Sequence, residues 1–311
     1  MNHTSFWRLS ALLAVCLLFL TSCGKQDGAD QLQPSLFPYE PGQTHVLVPD
    51  APGTDTTRTA PLTLDFSHSD QGYFMGKLDK GGAKINIQLT GPDGIIYKYF
   101  LNDEEVWTSF PFTAGNGAYV LVAFEEISDG QYASLLSYSL SVELENEFLP
   151  FIYPNQFVDF EPDDSAIQLA AELSTGAATD LDALSAIYEY VTTHVSYDDE
   201  KAATVEAGYL PNIEDTLQTG KGICFDYASL TAAMLRSLGI PTRLDIGYSG
   251  EIRHAWVDVY IESMGWVERA VEFNGEEWKL IDPTIAATND NSEAISNYVG
   301  DGSNYTLQYV R

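Results

Sequence analysis

Gly220-Lys221-Gly222-Ile223-Cys224-Phe225-Asp226-Tyr227-Ala228 opens the segment whose reading decides the second half of the chain. Behind it, Tyr227, Leu230, Met234, Leu235 and Leu238 form an apolar stripe at helical spacing, with Gly239 placed to end the helix and Pro241 just beyond. Cys224 therefore stands at a helix N-terminus, where the partial positive charge of the helix favours thiolate over thiol. Gly220 and Gly222 let the backbone turn tightly and leave the sulfur uncrowded, and the amide of Cys224 is placed to serve an oxyanion. The same position also suits a small buried structural cysteine.

Thirty residues on, His254-Ala255-Trp256-Val257-Asp258-Val259-Tyr260-Ile261 reads as a strand. Its period of two puts Ala255, Val257, Val259 and Ile261 on a core face and His254, Trp256, Asp258 and Tyr260 on a more polar one. A third element, Trp278 to Ile281, ends on Asp282-Pro283-Thr284, where proline stops the strand. Thiol, imidazole and carboxylate thus occur in order, each at the end of a segment. Nucleophilic catalysis needs this set: the imidazole takes the thiol proton, and the carboxylate fixes the imidazole tautomer and stabilises its cation.

These pieces, together with Met234-Leu235-Arg236-Ser237-Leu238-Gly239-Ile240-Pro241-Thr242-Arg243, His254-Ala255-Trp256 and the upstream run Tyr190 to Asp198, resemble the transglutaminase-like superfamily over roughly residues 160 to 285. The resemblance implies a papain-like fold in which Cys224 is nucleophile, His254 general base and acid, and Asp282 the orienting carboxylate. It implies more loosely that Tyr197 lines the oxyanion site. Trp256 either walls a substrate cleft or packs in the core. Asp226, in the first turn of the Cys224 helix, reads as structural, and its charge opposes thiolate formation. His194 at a helix C-terminus and the isolated His68 also read as structural, and Arg243 as a partner for a buried acid.

Upstream of Cys224, Asp180 reads as the N-cap of a helix with Leu184, Ile187, Tyr188 and Val191 at i, i+3, i+4 and i+7. Strands at Leu244 to Tyr248, His254 to Ile261 and Trp278 to Ile281 complete an α+β domain over residues 148–311, helices first and an antiparallel sheet after. Residues 61–147 are different. Ala83, Ile85, Ile87 and Leu89 alternate with Lys84, Asn86 and Gln88, and Tyr138, Leu140, Val142 and Leu144 alternate with Ser137, Ser139, Ser141 and Glu143. Turn groups such as Gly91-Pro92-Asp93-Gly94 and Gly115-Asn116-Gly117 separate such runs. About seven short strands predict an all-β, sandwich-like domain with no catalytic constellation. The apolar, proline-broken run Phe148 to Pro154 is expected where the two domains meet.

Residues 1–22 read as a signal peptide: Arg8 precedes an apolar run, Leu9 to Leu20, too short for an ordinary transmembrane helix. Leu20-Thr21-Ser22-Cys23 resembles a bacterial lipobox, which implies cleavage before Cys23 and lipidation of its thiol; a plain secretory signal or an uncleaved anchor is the other reading. Residues 23–60, rich in Gly, Pro, Asp, Gln and Thr, are expected as a flexible tether. The expected location is the extracytoplasmic face of a bacterial cell membrane. Cys16 leaves with the peptide, and Cys224 remains as the one free thiol of a compartment that tends to oxidise thiols.

Composition sets limits. The 311 residues carry 45 acidic and 15 basic side chains, a formal net charge of −30, which repels phosphate backbones and removes nucleic acid from the partners. With 5 Trp, 18 Tyr and 15 Phe and only 19% charged residues, the chain has enough apolar material for packed cores rather than disorder. No metal-ligand spacing stands out and acyl transfer needs no cofactor, so none is expected. The reading is a lipid-anchored cysteine enzyme performing acyl transfer or peptide or amide hydrolysis on a protein or peptide substrate at the cell envelope. The alternative is a non-catalytic envelope binding or scaffold protein that keeps the fold and works through the β domain.

Overall fold

A computed structural model describes residues 34–128, 130–249, 251–273, 278–280 and 305–311. The expected signal segment, Cys23 and Asp282 lie outside the described residues. Among those described, no helix is long and apolar enough to cross a membrane.

Eight strands build the first lobe: β1 (Thr56–Thr59), β2 (Leu62–Asp65), β3 (Tyr73–Leu78), β4 (Ile85–Thr90), β5 (Ile96–Leu101), β6 (Trp107–Pro111), β7 (Gly117–Ser128) and β8 (Gln131–Val142). They form two four-stranded sheets, ordered β1-β2-β3-β6 and β5-β4-β7-β8, with every pairing antiparallel. The alternation read in the sequence sets which side chains go inward. Ile85, Ile87 and Leu89 of one sheet meet Leu62, Leu64 and Phe74 of the other in a single core, and all six are at most 1% exposed. This is the sandwich expected from the spacing, with one strand more than the count of seven.

The second lobe places its helices before its large sheet. Helices α1 (Ser165–Ser174) and α2 (Asp180–His194) lead to the two-residue strand β9 (Ser196–Tyr197), then α3 (Asp199–Thr204), α4 (Ile213–Thr219), strand β10 (Lys221–Gly222) and α5 (Cys224–Ser237). Strands β11 (Thr242–Ser249), β12 (Ile252–Ile261), β13 (Gly265–Phe273), β14 (Trp278–Leu280) and β15 (Tyr305–Val310) follow, in an antiparallel sheet ordered β14-β13-β12-β11-β15. Helix α5 is the centre of the lobe. Leu230, Ala232, Ala233, Met234 and Leu235 are fully buried, packed with Leu184, Ile187 and Val191 of α2 and with Val257, Val259 and Ile261 of β12.

The N-cap of α2 is Thr179 rather than Asp180. Thr179 Oγ1 accepts from the Asp182 amide, and the Asp182 carboxylate accepts in return from the Thr179 amide. Two reciprocal bonds win over the single bond that Asp180 would offer as cap.

Three segments tie the lobes together. The apolar run after residue 147 lies at the junction, as expected: Phe148 packs on Tyr260 at 4.4 Å, Phe151 on Trp266 at 5.5 Å, and Tyr153 on Tyr73 of β3 at 4.6 Å. Strand β15, which the sequence reading did not find, bonds to β11 and carries Arg311 into a nest of rings. Its guanidinium lies 4.4 Å from the Phe157 ring and 4.5 Å from that of Tyr99 in the sandwich. The third is part of the stretch expected as a tether. From Phe37 the chain lies on the helical lobe: the His45 amide donates to Ser237 O at 2.7 Å, and the Gly42 amide donates to Ser174 Oγ at 3.1 Å. Leu36, Leu47 and Ala51 pack against Tyr73, Met75, Leu149 and Tyr153. A few well-placed apolar residues suffice to fix this strap, although its Gly and Pro content reads as linker. Residues 56–59 are already strand β1.

Candidate active site

Cys224 is the first residue of α5, and two glycines set how it is reached. Gly220, with φ +62°, ends α4 in the left-handed conformation. Gly222 is needed for a different reason: a Cβ there would stand 2.7 Å from Cβ of Asp226. The crowding that glycine avoids is with the aspartate one turn into the helix rather than with the sulfur. Asp226 is fully buried, and its carboxylate accepts the Ile223 amide at 2.8 Å, closing the first turn of α5. The same carboxylate accepts from Lys201 Nζ at 2.7 Å and from the Tyr209 hydroxyl. The structural reading of Asp226 holds, and the structure adds Lys201 and Tyr209, which the sequence reading missed. They come from α3 and the loop after it, a polar stretch with no period to mark it.

Strand β9 brings Tyr197 to the same place. Its parallel pairing with β10 aligns Tyr197 with Gly222, through Ser196 N to Gly220 O and Asp198 N to Gly222 O, both 2.9 Å. Burial, followed by the charge of a Cys224 thiolate, raises the Tyr197 hydroxyl above its ordinary value, so it stays a neutral donor. From the other side, strand β12 presents His254. The backbone N–H groups of Ala255, the residue after His254, and of Phe225 favour the thiolate form of Cys224.

Cys224, His254 and Tyr197 line one cavity of about 330 Å³. Val205, Glu206, Gly208 and Tyr209 form one wall, and Arg253 stands exposed at its rim. Trp256 is not among the lining residues. It is 4% exposed and lies behind the imidazole, its ring 6.2 Å from that of His254 and 5.6 Å from that of Tyr305. Of the two alternatives for Trp256, the structure places it in the packing one. The strand's second face also differs from expectation. His254, Trp256, Asp258 and Tyr260 are all at most 8% exposed, because Phe148, Trp266 and Tyr305 cover that side.

Burial dominates the electrostatics. It lowers His254 from 6.5 to about 4, so the imidazole is neutral near pH 7, and its Nε2 is buried with no hydrogen-bond partner among the described residues. Burial likewise pushes the Cys224 thiol above its ordinary value, and the Asp226 charge adds to this, against the backbone N–H groups of Ala255 and Phe225. The helix terminus predicted a lowered thiol; desolvation of a partly buried sulfur outweighs it. The arrangement is a neutral thiol beside a neutral base, with N–H donors placed to receive negative charge on the sulfur. Farther along the same face, Arg243 stacks on Trp266 at 3.6 Å and lies near Asp245 and Asp258. Burial and the neighbouring Asp258 raise the Asp245 carboxyl well above the usual carboxylate range. Arg243 was expected to meet a buried acid that the sequence does not identify, and these two lie near it.

Residues 167–269 match the family model described as the transglutaminase-like superfamily, a span that includes Cys224 and His254 and ends before Asp282. Kyphoscoliosis peptidase of Mus musculus is 30% identical over 130 residues, as is that of Homo sapiens. In each case the match covers 38% of this chain and 17% of the relative. Among solved structures, a Cytophaga hutchinsonii protein described provisionally as a cysteine protease aligns at TM-score 0.37 and 14% identity, over 77% of this chain and 83% of that one. A Parabacteroides distasonis protein described provisionally as a protease aligns at TM-score 0.28 and 10% identity, over 65% and 62% respectively. Residues 167–269 of this chain form a transglutaminase-like domain.

Proposed function

We propose that the chain is a cysteine-dependent enzyme of acyl transfer or amide hydrolysis acting on a protein or peptide. The observation that carries this is the meeting of Cys224 and His254 in one cavity. His254 is unprotonated near neutral pH and is free to take the thiol proton as the sulfur attacks a carboxamide or peptide carbonyl. The tetrahedral oxyanion is stabilised by the backbone N–H of Cys224 and by the neutral Tyr197 hydroxyl. The imidazolium then protonates the leaving amine, and the thioester passes to water or to a second amine. Asp282 acts on the other ring nitrogen, orienting the imidazole and stabilising its cation. Lipid on Cys23 holds the enzyme on the outer face of a cell membrane, where its substrate is found.

The test is incubation with peptide mixtures, with and without a primary amine, read by mass spectrometry. Cleavage or deamidation without the amine defines a hydrolase, and amine-adducted glutamine defines a transferase. Cys224→Ala is expected to abolish both activities and labelling by a thiol-directed electrophile. Activity that survives in this variant overturns the mechanism, and a fully folded wild type inert to every peptide favours the scaffold reading.

A further inference from the structure

A cavity of about 490 Å³ that the proposed chemistry does not use lies between the two lobes. The strap contributes Val48 and Pro49, the sandwich Trp107 and Ser109, and the helical lobe Asn155 and Asp159. Its lining combines three features. The first is apolar surface left in water: Val48 is 64% exposed and Val106 53%. The second is a pair of buried polar groups, Asn155 Nδ2 and Ser109 Oγ, without a hydrogen-bond partner among the described residues. Asn155 is 3% exposed, and its Oδ1 accepts the amides of Phe157 and Val158, which fixes the amide so that Nδ2 is left as an unused donor. Ser109 is 8% exposed, and its hydroxyl also has no partner. Buried polar groups left in this state are uncommon and call for an explanation.

The third feature is charge. Asp103, Asp159 and Glu161 line the cavity, whereas no Lys, Arg or His does among the described residues. A smaller adjoining cavity of about 180 Å³ shares Asp159 and Glu161 and adds Asp164 and Glu214. Among the described residues, no ion pair joins any of these five acids to a cation. Burial and the like charges of Asp164 and Glu161 raise the Asp159 carboxyl, although the residue keeps contact with solvent. A cation placed here would relieve that crowding.

We propose that this cleft binds an extended polypeptide segment carrying Lys or Arg side chains. An extended backbone supplies carbonyl acceptors for Asn155 Nδ2 and a partner for the Ser109 hydroxyl. Its apolar side chains cover Val48, Val106 and the Trp107 ring, and its basic side chains meet Asp103, Asp159 and Glu161. The loop from Val205 to Pro211 links the cleft to the chemistry. Val205 to Tyr209 wall the Cys224 cavity, and Leu210 and Pro211 wall this one, so a chain seated in the cleft lies one loop away from the sulfur. In its connection to Cys224 the inference rests on the function proposed above, but the binding site itself does not.

The experiment uses the full-length Cys224→Ala protein, so that turnover cannot interfere and a failure of the catalytic reading leaves the binding result intact. Fluorescence anisotropy is measured with a fluorescein-labelled peptide of alternating Lys and Ala, with its Glu and Ala counterpart, and with a labelled neutral oligosaccharide. The Lys peptide is expected to bind, and raised salt and the double substitution Asp159→Asn, Glu161→Gln at exposed positions are each expected to weaken it about tenfold. A second variant, Asp103→Asn, should weaken it less. Circular dichroism checks that each variant is folded. Equal binding of the Lys and Glu peptides overturns the proposal, as does affinity unmoved by the double substitution. Binding of the oligosaccharide alone assigns the cleft to a different ligand class and overturns it as well.

Discussion

Acidification isolates His254 in a way that can be measured. The imidazole is 7% exposed, and burial alone lowers it from 6.5 to about 4. Between these values the unfolded chain binds a proton that the folded chain refuses, so stability falls as pH drops through the window. The contribution is fully present above pH 6.5, is lost as pH falls toward 4, and changes no further below that. At about 1.4 kcal/mol per pH unit of separation, the whole loss is roughly 3 kcal/mol, with about 2 kcal/mol of it gone by pH 5. Many carboxylates titrate in the same range, so the useful quantity is the difference between wild type and His254→Gln, in which the ring is absent and the other groups remain. Urea unfolding at pH 7, 6 and 5 should show this difference moving in favour of the variant by about 2 kcal/mol. Wild-type and variant curves that stay parallel over the range refute the argument, as does an NMR titration of the His254 ring with a midpoint near 6.5.

Other consequences are expected around the same helix. Because burial raises the Cys224 thiol, alkylation by iodoacetamide should keep accelerating through pH 9; a rate already level between pH 5 and 8 would mean a preformed thiolate. Lys201→Met leaves the buried Asp226 carboxylate without its cation, at a cost of roughly 3–5 kcal/mol in chemical unfolding. It should also slow alkylation at pH 8, since the uncompensated charge raises the thiol further, and Lys201→Arg should restore part of both. Gly222→Ala puts a methyl group 2.7 Å from Cβ of Asp226, so a loss of about 1–3 kcal/mol in thermal or urea unfolding and a lowered rate of thiol labelling are expected together.

Legibility in the sequence followed the physics of each element. Strands β4 and β8, the α5 stripe and the Ala255 to Ile261 face could be read because one periodic pattern decides which side is buried. The placing of Cys224 and His254 in one cavity followed from where their elements end. Other features depend on partners distant in sequence. The cover over the His254 face of β12 includes Tyr305 beside His254 and Phe148 beside Tyr260, and the strap requires Ser174 and Ser237, to which no local pattern points. The Lys201 and Tyr209 contacts to Asp226 come from a polar loop that looks like any solvated turn. Even the direction of the thiol's shift depended on tertiary burial, which the helix terminus alone could not reveal.

Arg236 carries a consequence for how the molecule opens and closes. It lies on α5, 12 residues after the cysteine, is 0% exposed, and has its affinity for its proton lowered by burial to about 9. Among the described residues it donates to backbone oxygens alone: Thr242 at 2.9 Å, Tyr153 at 2.9 Å and Arg311 at 2.8 Å. The last acceptor lies 75 residues downstream. Native closure of the helix that bears Cys224 therefore waits for the edge strand β15 to dock, and until then a buried guanidinium lacks one of its acceptors. Helix α5 and β15, far apart in sequence, are thereby expected to open together in hydrogen exchange.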